Sequence, residues 1–459
     1  MVLKPTFSGI PTALTIAGSD SGGGAGIEAD IKTFAALGVH GMASITALTA
    51  QNTTGVSGIY EIPVEFIRKQ IDAVASDIGI ANAKSGMLYS PNIVREVARA
   101  VREYEFSLVV DPVMISKSGA SLLQKQAIAT LKSDLLPHAQ VVTPNLEEAE
   151  LLSGIRITTL KDSMLAGKEI LALGVPAVII KGGHLAGPPV DVLCRRGSEP
   201  IIFQGPRYGS EASHGTGCTF SAAITALLAK GSSLEDATRR AKEFVANAIQ
   251  FGFKIGKGIG PVNPTSNISI DAERMKIIEN MADALTLIES SNSLGSLSPE
   301  CQINIAMALP KQYTTGLDSV CAIPGRIFNV SGKLKAAACP MFGASKHVAK
   351  IVLTAMEYEM EMRSAMNIRW SEEIMAACKK AGLRISSYER EKEPPEVKMM
   401  EGASVPWGVR QAIQTFGGVP DIIYHMGDMG KEPMINILGK DAVSTAMKAI
   451  QIGRLVESP

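Results

Sequence analysis

The sequence has no excess charge of either sign: its 459 residues carry 45 lysines and arginines against 45 aspartates and glutamates. Such a chain has no global field to gather nucleic acid or an anionic membrane, so any anion site must be local. No run of 18 apolar residues occurs, and the first stretch (MVLKPTFSGIPTALTIAGSD) has no continuous apolar segment of the kind a secretion signal needs. The expectation is a soluble, cytoplasmic protein with no nucleic-acid partner, no membrane and no signal peptide. The six cysteines, Cys194, Cys218, Cys301, Cys321, Cys339 and Cys378, form no CxxC pair, and no two of them share metal-ligand spacing with a histidine. That argues against a disulfide framework and a structural zinc site, and fits a reducing cytosol. Low-complexity segments and fixed-period repeats are absent too. What remains is a chain too long for one ordinary core, which predicts at least two domains.

From residue 12 to about 255, short apolar strands (residues 13–17, 43–48, 106–110, 140–143 and 177–181) alternate with amphipathic stretches such as PVEFIRKQIDAVASDI and NIVREVARAVREY. This alternation predicts a largely parallel sheet covered on both faces. PPVDVLCRRG followed by EPIIFQGPR reads as a hairpin, a plausible flap. The texture changes at KIGKGIGPVNPTSN, Lys254 to Asn267, which is rich in glycine, proline and asparagine. The expected domains are therefore 1–266 and 267–459, the second smaller and again α/β in pattern.

In open α/β sheets ligands bind beyond the carboxyl ends of the strands. In the first half, each strand end delivers polar or glycine-rich residues: GSDSGGGAGIEAD after 13–17, Asp111 after FSLVV, PNLEE after QVVT, and Lys181-Gly182-Gly183 after AVII. The glycine-rich stretch matches neither G-x-G-x-x-G nor a Walker A loop. It reads either as a flexible turn or as a backbone surface for a flat ligand, with Asp30 and Gln51 supplying hydrogen bonds. Asp111 and Glu148 are candidate Mg²⁺ ligands and Lys181 a candidate partner for nucleotide phosphate. His184 and His214 have no partner at ligand spacing and read as structural. In ASHGTGCTFSAAITALLAK, the N–H groups of Gly215, Thr216, Gly217 and Cys218 precede an apolar helix, an arrangement suited to an oxyanion. The same field stabilises a thiolate at Cys218.

These motifs carry a resemblance. LTIAGSDSGGGAGIEADIKTFAALG, TALTAQNTTGV, KSGML, VVDPVM, TPNLEEAELL, IKGGH and SHGTGCTFSAA occur in this order over about residues 10–262. The region resembles the hydroxymethylpyrimidine and hydroxymethylpyrimidine-phosphate kinases, a ribokinase-like branch. The resemblance implies a three-layer αβα kinase fold, ATP and Mg²⁺ as cofactors, and two successive phosphorylations of hydroxymethylpyrimidine. It also implies that residues 215–218 form the anion hole, with Cys218 as base for the substrate hydroxyl. Asp111, Asn145 and Glu148 then match the metal and phosphate side, and Thr143 and Lys181 the nucleotide side. Gly18, Asp30, Gln51, Met87 and Val113 match the pyrimidine pocket. Related kinases are often dimers, which implies a homodimer. A related kinase acting on another vitamin, such as pyridoxal, is the competing reading of this half.

In the second half, PMFGASKHVAKIVLTAM reads as a helix capped by Ser345, with Lys346 and His347 in its first turn. Cations there oppose the helix dipole unless an anion binds. RSAMNIRW places Arg363 and Asn367 on one helical face, with Arg369 just beyond. GDMGKEP sets Asp428, Lys431 and Glu432 after the strand-like DIIYHM, with proline where a helix would begin. Together these residues suggest a pocket for phosphorylated ligands. NIAMALP, IPGRI, FGASKHVAKIVLTAM, RSAMNIRWSEEI and PDIIYHMGDMGKEPM resemble ThiN-type thiamine-phosphate synthase domains, over about residues 280–455. That family implies roles in activity for Arg326 and His347, and condensation of hydroxymethylpyrimidine diphosphate with thiazole phosphate. The alternative is a non-catalytic domain that senses thiamine phosphates.

Overall fold

A computed structural model of the chain describes residues 9–115, 119, 121–183, 185, 187–209, 211–428 and 430–457, and His184 lies outside them. The chain divides into two units, Met1–Ile268 and Ser269–Pro459. Among the described residues no helix is long and apolar enough to cross a membrane.

Nine strands make the sheet of the first unit: β1 (Thr12–Asp20), β2 (His40–Asn52), β3 (Gly55–Glu61), β4 (Asn82–Ser85), β5 (Ser107–Val110), β6 (Val141–Val142), β7 (Ala177–Gly182), β8 (Val190–Arg195) and β9 (Ile201–Gln204). Their order is β3-β2-β1-β4-β5-β6-β7-β8-β9. From β2 to β7 all neighbours are parallel, and antiparallel pairing is confined to β3, β8 and β9 at the margins. The central strands are apolar on both sides, as burial under two helical layers requires. Val110 and Val142 pack towards the helices Val64–Asp77, Pro91–Tyr104 and Leu160–Ala172. Their neighbours Val109 and Val141 pack towards Thr216–Ala229 and Leu234–Gln250 on the other face. The anticipated hairpin is β8–β9, but it extends the edge of the main sheet instead of standing off as a flap. A small parallel pair, β10 (Ala212–His214) with β11 (Gly260–Pro261), leads into the helix Thr216–Ala229.

The second unit contains β12 (Ile305–Ala308), β13 (Val320–Ala322), β14 (Ile327–Val330), β15 (Lys333–Ala336), β16 (Met341–Phe342), β17 (Ser364–Arg369), β18 (Ile385–Ser387), β19 (Ile422–His425) and β20 (Met434–Gly439). Seven of them form a sheet in the order β16-β13-β12-β17-β20-β19-β18, while β14 and β15 pair separately. Helices Ser266–Ser290, Glu372–Lys380 and Ala442–Glu457 cover one face, and His347–Ala355 with Ser404–Phe416 cover the other.

Three local expectations are corrected here. RSAMNIRW is not helical: β17 lies in the middle of the sheet, and residues Ser364 to Ile368 are all buried. A short run covered on both faces carries no helical period, so burial decides. Pro433 leads into strand β20, not into a helix. The cap of His347–Ala355 is Lys346, with no side-chain cap bond from Ser345.

Candidate functional site

In the first unit the site grows from the turn before helix Thr216–Ala229. Gly215 has φ 80°, and a Cβ there would stand 1.8 Å from the Gly24 carbonyl oxygen, so only glycine fits. The opening N–H groups of the helix lack partners within it and carry its positive end. Opposite lies Asp111, just past β5 and 2% exposed. Lys181 Nζ donates to its Oδ1 at 2.9 Å, Ser221 Oγ to its Oδ2 at 3.1 Å, and Thr143 Oγ1 lies 3.4 Å from Oδ1. Gly217 borders the same charges, since a Cβ there would stand 3.3 Å from Lys181 Nζ. Burial works against ionisation of Asp111, but Lys181 and then Lys84 prevail and hold its pKa below the usual carboxylate range.

Glu148 is the second buried carboxylate. A capping box fixes it: Asn145 N–H donates to Glu148 Oε2 and Glu148 N–H to Asn145 Oδ1, both at 2.8 Å. Burial, and after it Asp111, push its pKa up to about 7 against the pull of Lys181. Two buried carboxylates that resist ionising together form an oxygen donor set that fits a hard divalent cation.

Gly18, Gln51, Met87, Val113 and Cys218 line one cavity together with Gly215, Thr216, Gly217, Asp111, Glu148 and Lys181. Two other residues of the implied sets do not line it. Asp30 is fully buried: it accepts from Thr15 Oγ1 at 2.6 Å, and Lys84 Nζ lies 2.8 Å from each of its oxygens. Thr143 sits behind Asp111 and reaches no cavity described here. Lys84, which the sequence reading passed over, forms the wall instead of Asp30. Burial disfavours its charge, but Asp30, then Cys218 and Asp111, raise its pKa above the usual lysine value. The Cys218 thiol does not follow the helix field: burial pushes it up to about 11 despite Lys84.

His214, expected to be structural, borders the same cavity. Its Nε2 lies in the cavity wall, 3.0 Å from Asp20 Oδ2 and 3.0 Å from Gln51 Nε2. The glycine-rich stretch wraps around Asp20, which accepts from the N–H groups of Gly22, Gly24 and Ala25 at 2.8, 3.1 and 2.9 Å. An aspartate followed by unobstructed glycine N–H groups was the available signal. A second cavity shares Asn145, Lys181, Thr216 and Gly217 with the first and continues past Pro206, Tyr208 and Phe220.

The pocket of the second unit gathers Arg326, His347, Asn367, Lys431 and Glu432, and adds Ser345, Arg390 and His425. Lys346, Arg363 and Arg369 do not line it. Lys346 is exposed at the helix cap, and Arg369 Nε donates to the Ser296 carbonyl at 2.5 Å. Arg363 precedes β17, roughly 13 Å along the strand from Asn367 at the usual rise. Arg326 has φ 80°, an unusual conformation for a residue with a side chain, and its Nη1 donates to the Cys301 carbonyl. Glu432 accepts from the N–H groups of Glu300 and Cys301 at 3.0 and 2.9 Å. Asn367 is taken up by Asn304 N–H (2.8 Å) and the Gln302 carbonyl (3.0 Å).

Both histidines of this pocket are neutral at physiological pH. The His347 ring reaches solvent, yet desolvation, then Arg390, Arg326, Lys350 and Lys431, lower it to about 4. His425 is 3% exposed, and burial, then Arg390, His347 and Lys431, lower it to about 3. Below about pH 6.5 the unfolded chain takes up a proton at His425 that the folded unit refuses. Stability therefore falls as pH drops towards 3, with a limiting slope of about 1.4 kcal/mol per unit. Both tryptophans, Trp370 and Trp407, lie in this unit, so urea unfolding followed by their fluorescence isolates it. The midpoint is expected to fall from pH 7 to 5, and His425→Asn to flatten the fall. A midpoint unchanged across that range would mean that His425 protonates freely in the folded unit.

An open sheet whose carboxyl rim carries a helix N-terminus, two carboxylates and a lysine is the frame of a small-molecule kinase with the ribokinase-like fold. The chain belongs to the phosphomethylpyrimidine kinase family, whose family model matches residues 20–263, and residues 280–451 match that of thiamine-phosphate synthase ThiN. Across both parts it is 34% identical to the bifunctional thiamine biosynthesis protein ThiDN of Methanocaldococcus jannaschii, over 96% of this chain and 98% of that one. The hydroxymethylpyrimidine/phosphomethylpyrimidine kinase of Streptomyces coelicolor is 49% identical over 55% of this chain and 94% of its own length. Among solved structures, the pyridoxal kinase of Staphylococcus aureus in complex with AMP-PCP and pyridoxal matches with a TM-score of 0.53 at 35% identity, covering 56% of this chain and 95% of that one.

Proposed function

We infer that the chain is a bifunctional thiamine-biosynthetic enzyme. Its first unit phosphorylates hydroxymethylpyrimidine to the monophosphate and then the diphosphate at the expense of ATP. Its second unit joins that diphosphate to thiazole phosphate, giving thiamine phosphate and pyrophosphate. The observation that carries this reading is the pair of sites: joined cavities meeting at an anion-binding helix end in one unit, and a cationic pocket in the other.

In the first unit, Gly18, Gln51, Met87 and Val113 hold the pyrimidine, and Asn145 and Lys181 face the nucleotide phosphates across the junction of the cavities. Asp111 and Glu148 would hold Mg²⁺, which when bound neutralises phosphate charge. The N–H groups of Gly215 to Cys218 stabilise the transferring group, and Cys218 receives the alcohol proton. In the second unit, Arg326 and Lys431 neutralise departing pyrophosphate and neutral His347 donates a hydrogen bond to it, while the thiazole nitrogen takes its place on the pyrimidine CH₂. The bond to the leaving oxygen breaks towards a cation that the aminopyrimidine ring stabilises, so positioning and charge suffice. A homodimeric, cytoplasmic enzyme is part of the same reading, and gel filtration with light scattering checks the assembly.

The test supplies purified protein with hydroxymethylpyrimidine, thiazole phosphate, ATP and Mg²⁺, followed by chromatography. Wild type is expected to yield thiamine phosphate. His347→Ala is expected to form it roughly 10²-fold more slowly and to accumulate the diphosphate. Wild type that stops at the diphosphate would remove the synthase reading in favour of a domain that senses thiamine phosphates.

A further inference from the structure

Arg390 of the second unit is 5% exposed and lines the cationic pocket, and its Nη1 has no hydrogen-bond partner among the described residues. No carboxylate among the described residues lies within ion-pair distance of it. Glu393, 4% exposed, has both oxygens unpartnered as well, so it does not supply the missing contact. A buried charge with an open donor is among the least favourable arrangements a fold can keep, unless something completes it. Its surroundings say what completes it. Arg326 and Lys431 line the same cavity, and Glu432, the one carboxylate on its wall among the described residues, is held by two backbone N–H groups. Three cations facing one engaged carboxylate call for a group with more than one negative charge.

The guanidinium is also held in place. His425 Nδ1 lies 3.1 Å from the Gly427 N–H and 3.4 Å from Arg390 Nε. Two donors on Nδ1 leave the proton on Nε2, so the neutral ring serves as an acceptor that aims the arginine. The Tyr388 ring stands 5.2 Å from that of His425 and 6.0 Å from Arg390 Cζ, which closes the other side.

We propose that Arg390 is the buried anchor for the diphosphate of the synthase substrate, with its guanidinium as donor and His425 as its positioning residue. The assignment rests on the synthase reading of this unit. Inorganic pyrophosphate is titrated into the full chain and followed by the fluorescence of Trp407, whose ring lies 6.1 Å from that of Tyr388. Arg390→Gln is expected to weaken pyrophosphate binding roughly 10- to 100-fold, the range for a lost hydrogen bond to a charged group. Arg390→Lys restores part of it, as a point charge without the fork. In steady state the KM for pyrimidine diphosphate rises in parallel, while the KM for thiazole phosphate and both kinase rates stay unchanged. His425→Asn, which keeps an acceptor near the position of Nδ1, retains affinity, and His425→Leu loses it. Should Arg390→Gln not fold, the lysine variant carries the comparison. Equal pyrophosphate affinity in wild type and variant overturns the proposal, as does an effect confined to thiazole phosphate. Pyrophosphate binding that depends on Arg390 without formation of thiamine phosphate keeps the anchor and removes the synthase reading.

Discussion

Cys218→Ala is expected to slow phosphorylation of the pyrimidine alcohol by roughly 10²-fold at neutral pH, the low end for loss of a general base, and phosphorylation of the monophosphate by less than about tenfold. The two steps differ in one proton. The alcohol must lose its proton during attack, whereas a phosphomonoester, with a second pKa near about 6, is already largely ionised. Burial holds the thiol at about 11, so thiolate is scarce at pH 7 and its fraction grows about tenfold with each pH unit. The first step in wild type is therefore expected to accelerate from pH 7 to 10, and this acceleration to vanish in Cys218→Ala. The second step keeps the same profile in both proteins. Initial rates for each substrate across that range decide it. Equal losses in both steps, with parallel profiles, would make Cys218 a residue that positions substrate.

Much of the rim of the first unit was legible because four of its strands are apolar runs that end in charged or glycine-rich residues. That pattern singled out Asp111 and Lys181, and glycines placed before an apolar helix singled out the turn at Cys218, without any fold in hand. It passed over Lys84, because β4 reads Asn-Ala-Lys-Ser and has no apolar run, although it bonds β1 and β5 in the middle of the sheet. The contact between Asp20 and His214 spans 194 residues, and no local pattern reports it. Asp30 shows the converse. Its motif implied contact with the ligand, yet the structure spends both of its oxygens on Lys84 and Thr15. In the second unit, the central position of β17 overrode a spacing that fits a helix equally well, which separated Arg363 from Asn367. Arg390 and His425 meet across 35 residues. Arg390 sits in a run of charges, REKE, that looks solvated until the fold buries it.

Lys84→Met is expected to destabilise the first unit by roughly 3–5 kcal/mol, because it strands the Asp30 carboxylate where no water reaches it. Both side chains of this pair are 0% exposed, and Nζ is shared between the two carboxylate oxygens at 2.8 Å. Removing both charges, in Lys84→Met with Asp30→Leu, is expected to recover most of the loss. The remainder is about 1 kcal/mol for the Thr15 hydroxyl left without its acceptor. Urea unfolding followed by far-UV circular dichroism gives both values. If Lys84→Met unfolds at the wild-type midpoint, Asp30 takes up a proton cheaply and the pair is not an ion pair. The double variant also separates stability from chemistry. Lys84 draws the Cys218 thiol downward more than Asp30 pushes it up, so losing both charges still lets burial push the thiol further up, by less than the loss of Lys84 alone. A double variant with near-wild-type stability is therefore expected to phosphorylate the alcohol slowly while keeping its rate on the monophosphate. Full recovery of both rates would confine Lys84 to the scaffold.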